Sequence, residues 1–333
     1  MLFRSKNILL DGVDMRRFIR HPSCGPWIRE LQFRDEGPPH DCNETLVQLS
    51  SVLTMARDSI TDLYVKICTM RKVNQFPNFF KAVESLHSLK GLHISCFIPF
   101  GDLLRFEGEE FPRLDDLYDA LPGMSRLEWL TISGWQHDRS SINAPLPERF
   151  RALTPPTSLK TIAFSDDEMR IPSDYISWIT NARGEFHPKC LRFGDRGDPT
   201  SVPRLLEAAQ DSLPKLETLE LHCLSQGNFY TEKLKPYIDR CADLRMLILN
   251  TAGSGRFELP DSIEILVFTN LWRSAAIRDL FLLLSDKIRP AFKLKKLILP
   301  PLDTFSSDPY LVSYDMLLSL CRQKSIEVAH LEN

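Results

Sequence analysis

The sequence predicts an α/β solenoid: a curved horseshoe of about eleven coils, with parallel strands on the concave face and helices on the convex face. Three observations point to it. Large apolar residues return at the first, fourth and sixth places of a short motif all along the 333 residues. Segments with helical period separate the motifs. The motif starts are also close to evenly spaced, as stacked supersecondary units require.

The motif fits IRELQF (from Ile28), ITDLYV (Ile60), LKGLHI (Leu89), LEWLTI (Leu127), LKTIAF (Leu159) and PKCLRF (Pro188). It continues in LETLEL (Leu216), LRMLIL (Leu244), IEILVF (Ile263), LKKLIL (Leu294) and IEVAHL (Ile326). Most starts lie 28 to 32 residues apart; the exceptions are 38 after Leu89 and 19 after Leu244. Places four and six are two apart, so on a strand they share a face. One such rung cannot bury that face alone, and stacking makes a common core.

Between rungs, SVPRLLEAAQDSL puts Val202, Leu205, Leu206, Ala209 and Leu213 on one helical face, with Ser201 or Thr200 ahead of Pro203 as the start. AAIRDLFLLLSDKI does the same with Ile277, Leu280, Phe281, Leu284 and Ile288, and FFKAVESLHSL with Phe79, Val83 and Leu86. Strands stack about 4.8 Å apart and helices about 8–10 Å apart, so the stack curves with its strands inside. The 19-residue interval, holding NTAGSGRFELPDS, predicts a helix-free coil. The 38-residue interval predicts a rim insertion, FIPFGDLLRFEGEEFPRLDD, whose carboxylates (Glu107, Glu109, Glu110, Asp115, Asp116) read as a solvated charged loop. The whole chain, 1–333, reads as one domain, with 1–27 an N-terminal capping segment and 28–333 the repeats. The last strand is expected to be shielded by a helix near Tyr314 to Cys321 or by a partner.

The formal net charge of −3 argues against a general nucleic-acid binder. No stretch has the unbroken apolar length of a membrane helix, and the first residues do not read as a secretory signal. The eight cysteines form no Cys-x-x-Cys pair, which fits a reducing compartment, cytoplasmic or nuclear. A glycosylation acceptor at Asn43 and an RGD tripeptide at Arg196 to Asp198 are read as chance matches.

This pattern resembles leucine-rich repeat proteins of the ribonuclease-inhibitor-like class. The opening, in which His21, Pro22, Pro26, Ile28, Arg29 and Leu31 fill a characteristic step, resembles more narrowly the repeat half of fungal F-box-type proteins. That resemblance implies a substrate receptor of a cullin-type ubiquitin ligase. It also places an F-box ahead of Met1, so docking of the ligase adaptor is expected only if such a module is supplied upstream. The family's Asn or Cys after the strand is matched by Cys68, with Cys96 and Cys223 one step early; these three read as buried structural thiols.

No phosphate loop, metalloprotease motif or nucleophile elbow is found, so no enzyme activity, metal or cofactor is expected. A protein-binding surface is. Places three, five and seven of each rung point away from the core. Tyr64, His93 and Trp129 are the expected anchors, with Arg192 on the same face; covering the sheet is the plainer role for the aromatics. Near the C-terminus Ile248, Val267 and Ile298 form an apolar ladder. It is either a partner groove, or covered by a loop such as Pro300 to Tyr310, or buried on both faces. A small-GTPase activator and a scaffold unrelated to ubiquitin are the alternative functions.

Overall fold

In a computed structural model the described residues are 7–10, 19–20, 22–34, 42–68, 75–97, 114–134, 145–166, 171–180, 187–195, 201–223, 233–251, 259–269, 280–281, 284–285, 293–300 and 308–331. The chain forms two compact units, Met1–Phe186 and His187–Asn333.

The first unit contains strands β1 (Asn7–Leu10), β2 (Glu30–Arg34), β3 (Asp62–Cys68), β4 (Gly91–Phe97), β5 (Trp129–Ser133) and β6 (Thr161–Asp166). Each pairs in parallel with the next. Between them lie α1 (Cys42–Met55), α2 (Phe76–Glu84), α3 (Leu114–Ala120) and α4 (Glu148–Arg151), and α5 (Ser173–Thr180) follows. The second unit holds β7 (Cys190–Asp195), α6 (Ser201–Ala208), β8 (Thr218–Cys223), α7 (Lys235–Ile238), β9 (Met246–Thr251), β10 (Ile265–Phe268), β11 (Lys296–Leu299), α8 (Asp308–Gln323) and β12 (Glu327–His330). Its strands are likewise parallel neighbours in chain order.

The repeating 1-4-6 spacing produces this order because places four and six fill one buried face. Leu63, Val65, Leu130, Ile132, Leu219, Leu221, Leu247, Leu249, Leu297 and Leu299 are all fully buried. Helix residues complete the core: Val202, Leu205, Leu206, Ala209 and Leu213 are buried as their 3.6-residue spacing requires, and so are Phe79 and Val83. In α2 the phenylalanines Phe76, Phe79 and Phe80 pack on one another, with centroids 5.1 to 6.4 Å apart. Tyr118 of α3 is enclosed by Phe150, Tyr175 and Trp178, and its hydroxyl donates to the Tyr175 carbonyl at 3.0 Å.

Coils are also joined by hydrogen bonds at the strand starts. One carbonyl of each coil accepts two successive amides of the next: Arg29 from Thr61 and Asp62, Thr61 from Lys90 and Gly91, Lys90 from Glu128 and Trp129. Glu217 and Glu264 do the same in the second unit. In the first unit, serines just ahead of the motif add side-chain links to the preceding coil: Ser59 to Gly25 O (2.8 Å), Ser88 to Asp58 O (3.0 Å) and Ser158 to Leu127 O (2.7 Å). These bonds satisfy backbone groups without an asparagine ladder. At the end of β5, Gly134 adopts φ +66°, and a Cβ there would lie 2.1 Å from the Cys96 carbonyl oxygen, so only glycine fits.

Four expectations are corrected. The segment read as an N-terminal cap contains a further rung, β1, registered Ile8 to Leu31 and Leu10 to Phe33. Ser5 stands at its first place, which hid it from an apolar search. The last rung is displaced by one residue from IEVAHL, because Leu297 pairs with Val328 and Leu299 with His330. Ser325, at φ +57°, turns the chain out of α8 and takes the first place, while the Ile326 amide bonds back to Cys321. His330 thus fills a core-facing position, its ring nitrogens meeting the Tyr314 hydroxyl (2.8 Å) and the Pro300 carbonyl (2.9 Å). Asp115 and Asp116 belong to α3 rather than to a projecting loop, and Asp308 to Tyr310 open α8 rather than lying in a covering loop. The remaining insertion carboxylates, residues 301–307, His21, the RGD tripeptide and residues 252–258 of the 19-residue interval fall outside the described residues. Among the described residues no helix is long and apolar enough to cross a membrane.

Candidate strand-face binding surface

Parallel register converts the alternate, outward-facing places into rows that run across strands. In the first unit the middle row is Gln32, Tyr64, His93, Thr131 and Ala163. The row nearer the strand starts is Glu30, Asp62, Gly91, Trp129 and Thr161. Beyond the middle row lie Arg34, Lys66, Ser95, Ser133 and Ser165.

The three expected anchors stand on consecutive strands. Tyr64 and His93 stack, with centroids 5.8 Å apart and planes 30° from parallel. Burial holds the His93 imidazole below its usual pKa, so it is neutral at neutral pH. Burial, and then the carboxylates of Glu30 and Asp62, raise the Tyr64 phenol. Trp129 lies across Gly91: a Cβ on that glycine would fall 1.3 Å from the indole Nε1, so the ring occupies the space a side chain would take. The indole remains 46% exposed. Nothing in the sequence motif reveals this seat, because Gly91 and Trp129 come from different coils and meet only through the register of β4 with β5.

In the second unit the middle row is Arg192, Glu220, Ile248, Val267, Ile298 and Ala329. Ile248 and Ile298 are half-buried. Val267 is only 5% exposed, flanked in register by the two isoleucines and between buried Leu266 and Phe268; this matches the alternative of a rung buried on both faces, and Val267 offers little surface. Arg192 is exposed, but its Nε donates to Glu220 Oε2 at 2.5 Å, and His222 Nε2 holds the other oxygen of the same carboxylate. Burial pushes the Glu220 carboxyl upward. The His222 hydrogen bond and the Arg192 charge outweigh it, and its pKa falls below the ordinary 4.5. With both oxygens engaged, Glu220 is a structural ion-pair centre. The sequence names Arg192 but not Glu220, its partner, or His222, the second group on that carboxylate, both on the neighbouring strand.

Other reactive groups are quiet. Burial pushes the Cys241 thiol up to about 12 and the Cys321 thiol up to about 11, so neither is a nucleophile near neutral pH. Cys96 is buried, as expected; the side chains of Cys68 and Cys223 lie outside the described residues. Among the described residues no three His, Cys, Asp or Glu side chains converge to hold a metal ion. No protein-family model matches the chain, and no curated protein matches it.

Proposed function

We propose that the chain is a non-enzymatic protein-binding module and that its outward strand faces are the recognition surface. The observation that carries this reading is Trp129, a large aromatic left nearly half exposed beside the stacked Tyr64 and His93 on a rigid parallel sheet. Aromatic side chains on such a frame supply contact area at little entropic cost, and they dominate interface energies. The half-buried Ile248 and Ile298 extend the reading to the second unit.

The finer assignment is a substrate-recognition domain like that of F-box leucine-rich repeat ubiquitin-ligase receptors. It rests on the repeat spacing and on the step carried by Pro26, Ile28, Arg29 and Leu31, of which Ile28 and Leu31 are buried. A ligase adaptor joins only through an F-box supplied upstream. The test is quantitative affinity capture with Tyr64, Trp129 and Ile248 each changed to aspartate, with circular dichroism as the folding control. At least one substitution should reduce a defined set of captured proteins about tenfold. A set unchanged by all three removes the strand faces from recognition. Extending the chain by its upstream reading frame then decides the ligase question: co-purification of the adaptor supports it, and its absence leaves a scaffold unrelated to ubiquitin.

A further inference from the structure

We infer that the first unit's strand face takes an arginine side chain from its protein partner, the guanidinium lying on the Trp129 indole and pairing with Asp62 and Glu30. The inference rests on the protein-binding reading above and specifies what that surface recognises.

Glu30 and Asp62 are in register on β2 and β3, about 4.8 Å apart by strand spacing. Like charges directly opposite one another are unfavourable. Glu30 accepts a hydrogen bond from Gln32 Nε2 at 2.9 Å and Asp62 one from Thr61 Oγ1 at 2.6 Å; neither pairs with a cation among the described residues. Other carboxylates at or just ahead of strand starts are neutralised within the chain. Glu128, Glu217, Glu264 and Glu327 each meet a lysine of an adjacent coil at 2.7 Å. Glu30 and Asp62, which open β2 and β3, are the exception among these.

The next place along this row is Gly91, roofed by the Trp129 indole from β5. The row therefore runs carboxylate, carboxylate, indole, with the outer side of the indole open to solvent. A guanidinium matches that order: it is planar, weakly hydrated, stacks on tryptophan and donates several hydrogen bonds to carboxylates at once. A lysine ammonium would answer the charge but not the flat surface. The cationic row of Arg34 and Lys66 does not cancel the site. It lies four residues farther along the strands, roughly 13 Å away, beyond a physiological screening length of about 8 Å.

The experiment titrates the full chain with N-acetyl-arginine methylamide while following the Trp129 indole N–H resonance, assigned by its loss in Trp129→Phe. The neutral isostere N-acetyl-citrulline methylamide is the control. The expected result is a saturable shift with the arginine compound, at least fivefold weaker with citrulline. Glu30→Gln combined with Asp62→Asn should weaken the arginine compound at least fivefold without lowering the thermal midpoint; if that double variant does not fold, Asp62→Asn alone is read in its place. Equal response to citrulline, or no response to the charge substitutions, overturns the inference. If the arginine compound fails while Trp129→Asp still abolishes partner capture, arginine recognition falls and the protein-binding reading stands. If neither has an effect, both fall.

Discussion

The outward faces of the two units share one backbone plan and differ in how their charges are settled. In the second unit, Glu220 is enclosed by Arg192 and His222, and the row continues into Ile248, Val267, Ile298 and Ala329. Among the described residues, the charges on those strands pair within the chain. In the first unit, Glu30 and Asp62 face each other without a cation among the described residues, beside Trp129, which is seated over Gly91 and nearly half exposed. The buried face of each coil answers to the core, so it looks alike in both units. The outward face carries no such obligation, and there the two part.

Substitutions in the two units should have effects of different size. The largest effects belong to the shared core. Leu63→Ala and Leu247→Ala should each cost about 3 kcal/mol in urea unfolding, because both leave cavities in fully buried sites. Clearly unequal losses would show that the buried faces are not equivalent.

Next is the ion-pair centre. Glu220→Ala strips Arg192 and His222 of their shared acceptor and should cost about 2 kcal/mol, whereas Asp62→Asn relieves a repulsion and should be neutral or stabilising by up to about 0.5 kcal/mol. The pH dependence follows from the same pair. A carboxyl whose folded pKa is depressed adds stability that is fully present above its unfolded value, here about 4.5, and is lost as pH falls through the folded value. Wild type should therefore lose stability below about pH 4.5 more steeply than Glu220→Gln. Parallel acid limbs would remove Glu220 from the account.

Smaller effects come from two backbone positions, Ser325 and Gly91. Ser325→Gly should stabilise by about 1 kcal/mol, since glycine adopts φ +57° without the steric cost a side chain brings. Gly91→Ala should change stability by less than about 1 kcal/mol, because the group it displaces is the end of a rotatable side chain. Its readout is spectroscopic: the Trp129 emission should shift to the red as the indole leaves its seat. An unshifted spectrum would show that the ring does not depend on that glycine.

Much of this architecture could be read from spacing. The 1-4-6 pattern placed ten rungs and their buried apolar residues, and the 3.6-residue pattern placed the apolar face of α6. The two misread rungs are the ones whose first place is serine, Ser5 and Ser325. An apolar search passes over the former, and at the latter it slides to the adjacent Ile326. The anchors Tyr64, His93 and Trp129 were legible as outward residues, and the structure sets them on adjacent strands. Val267 was legible by the same parity, yet it is buried, since parity names a face and says nothing of what crowds it.

The order of amino acids was enough to settle which side chains of each coil turn inward, because a strand alternates and a helix repeats whatever its neighbours do. It could not settle which outward residues touch, because a side chain such as Trp129 finds its floor, Gly91, on a strand formed 38 residues earlier. Contacts of that kind come into being only when pairing aligns the strands, and local sequence carries no record of them.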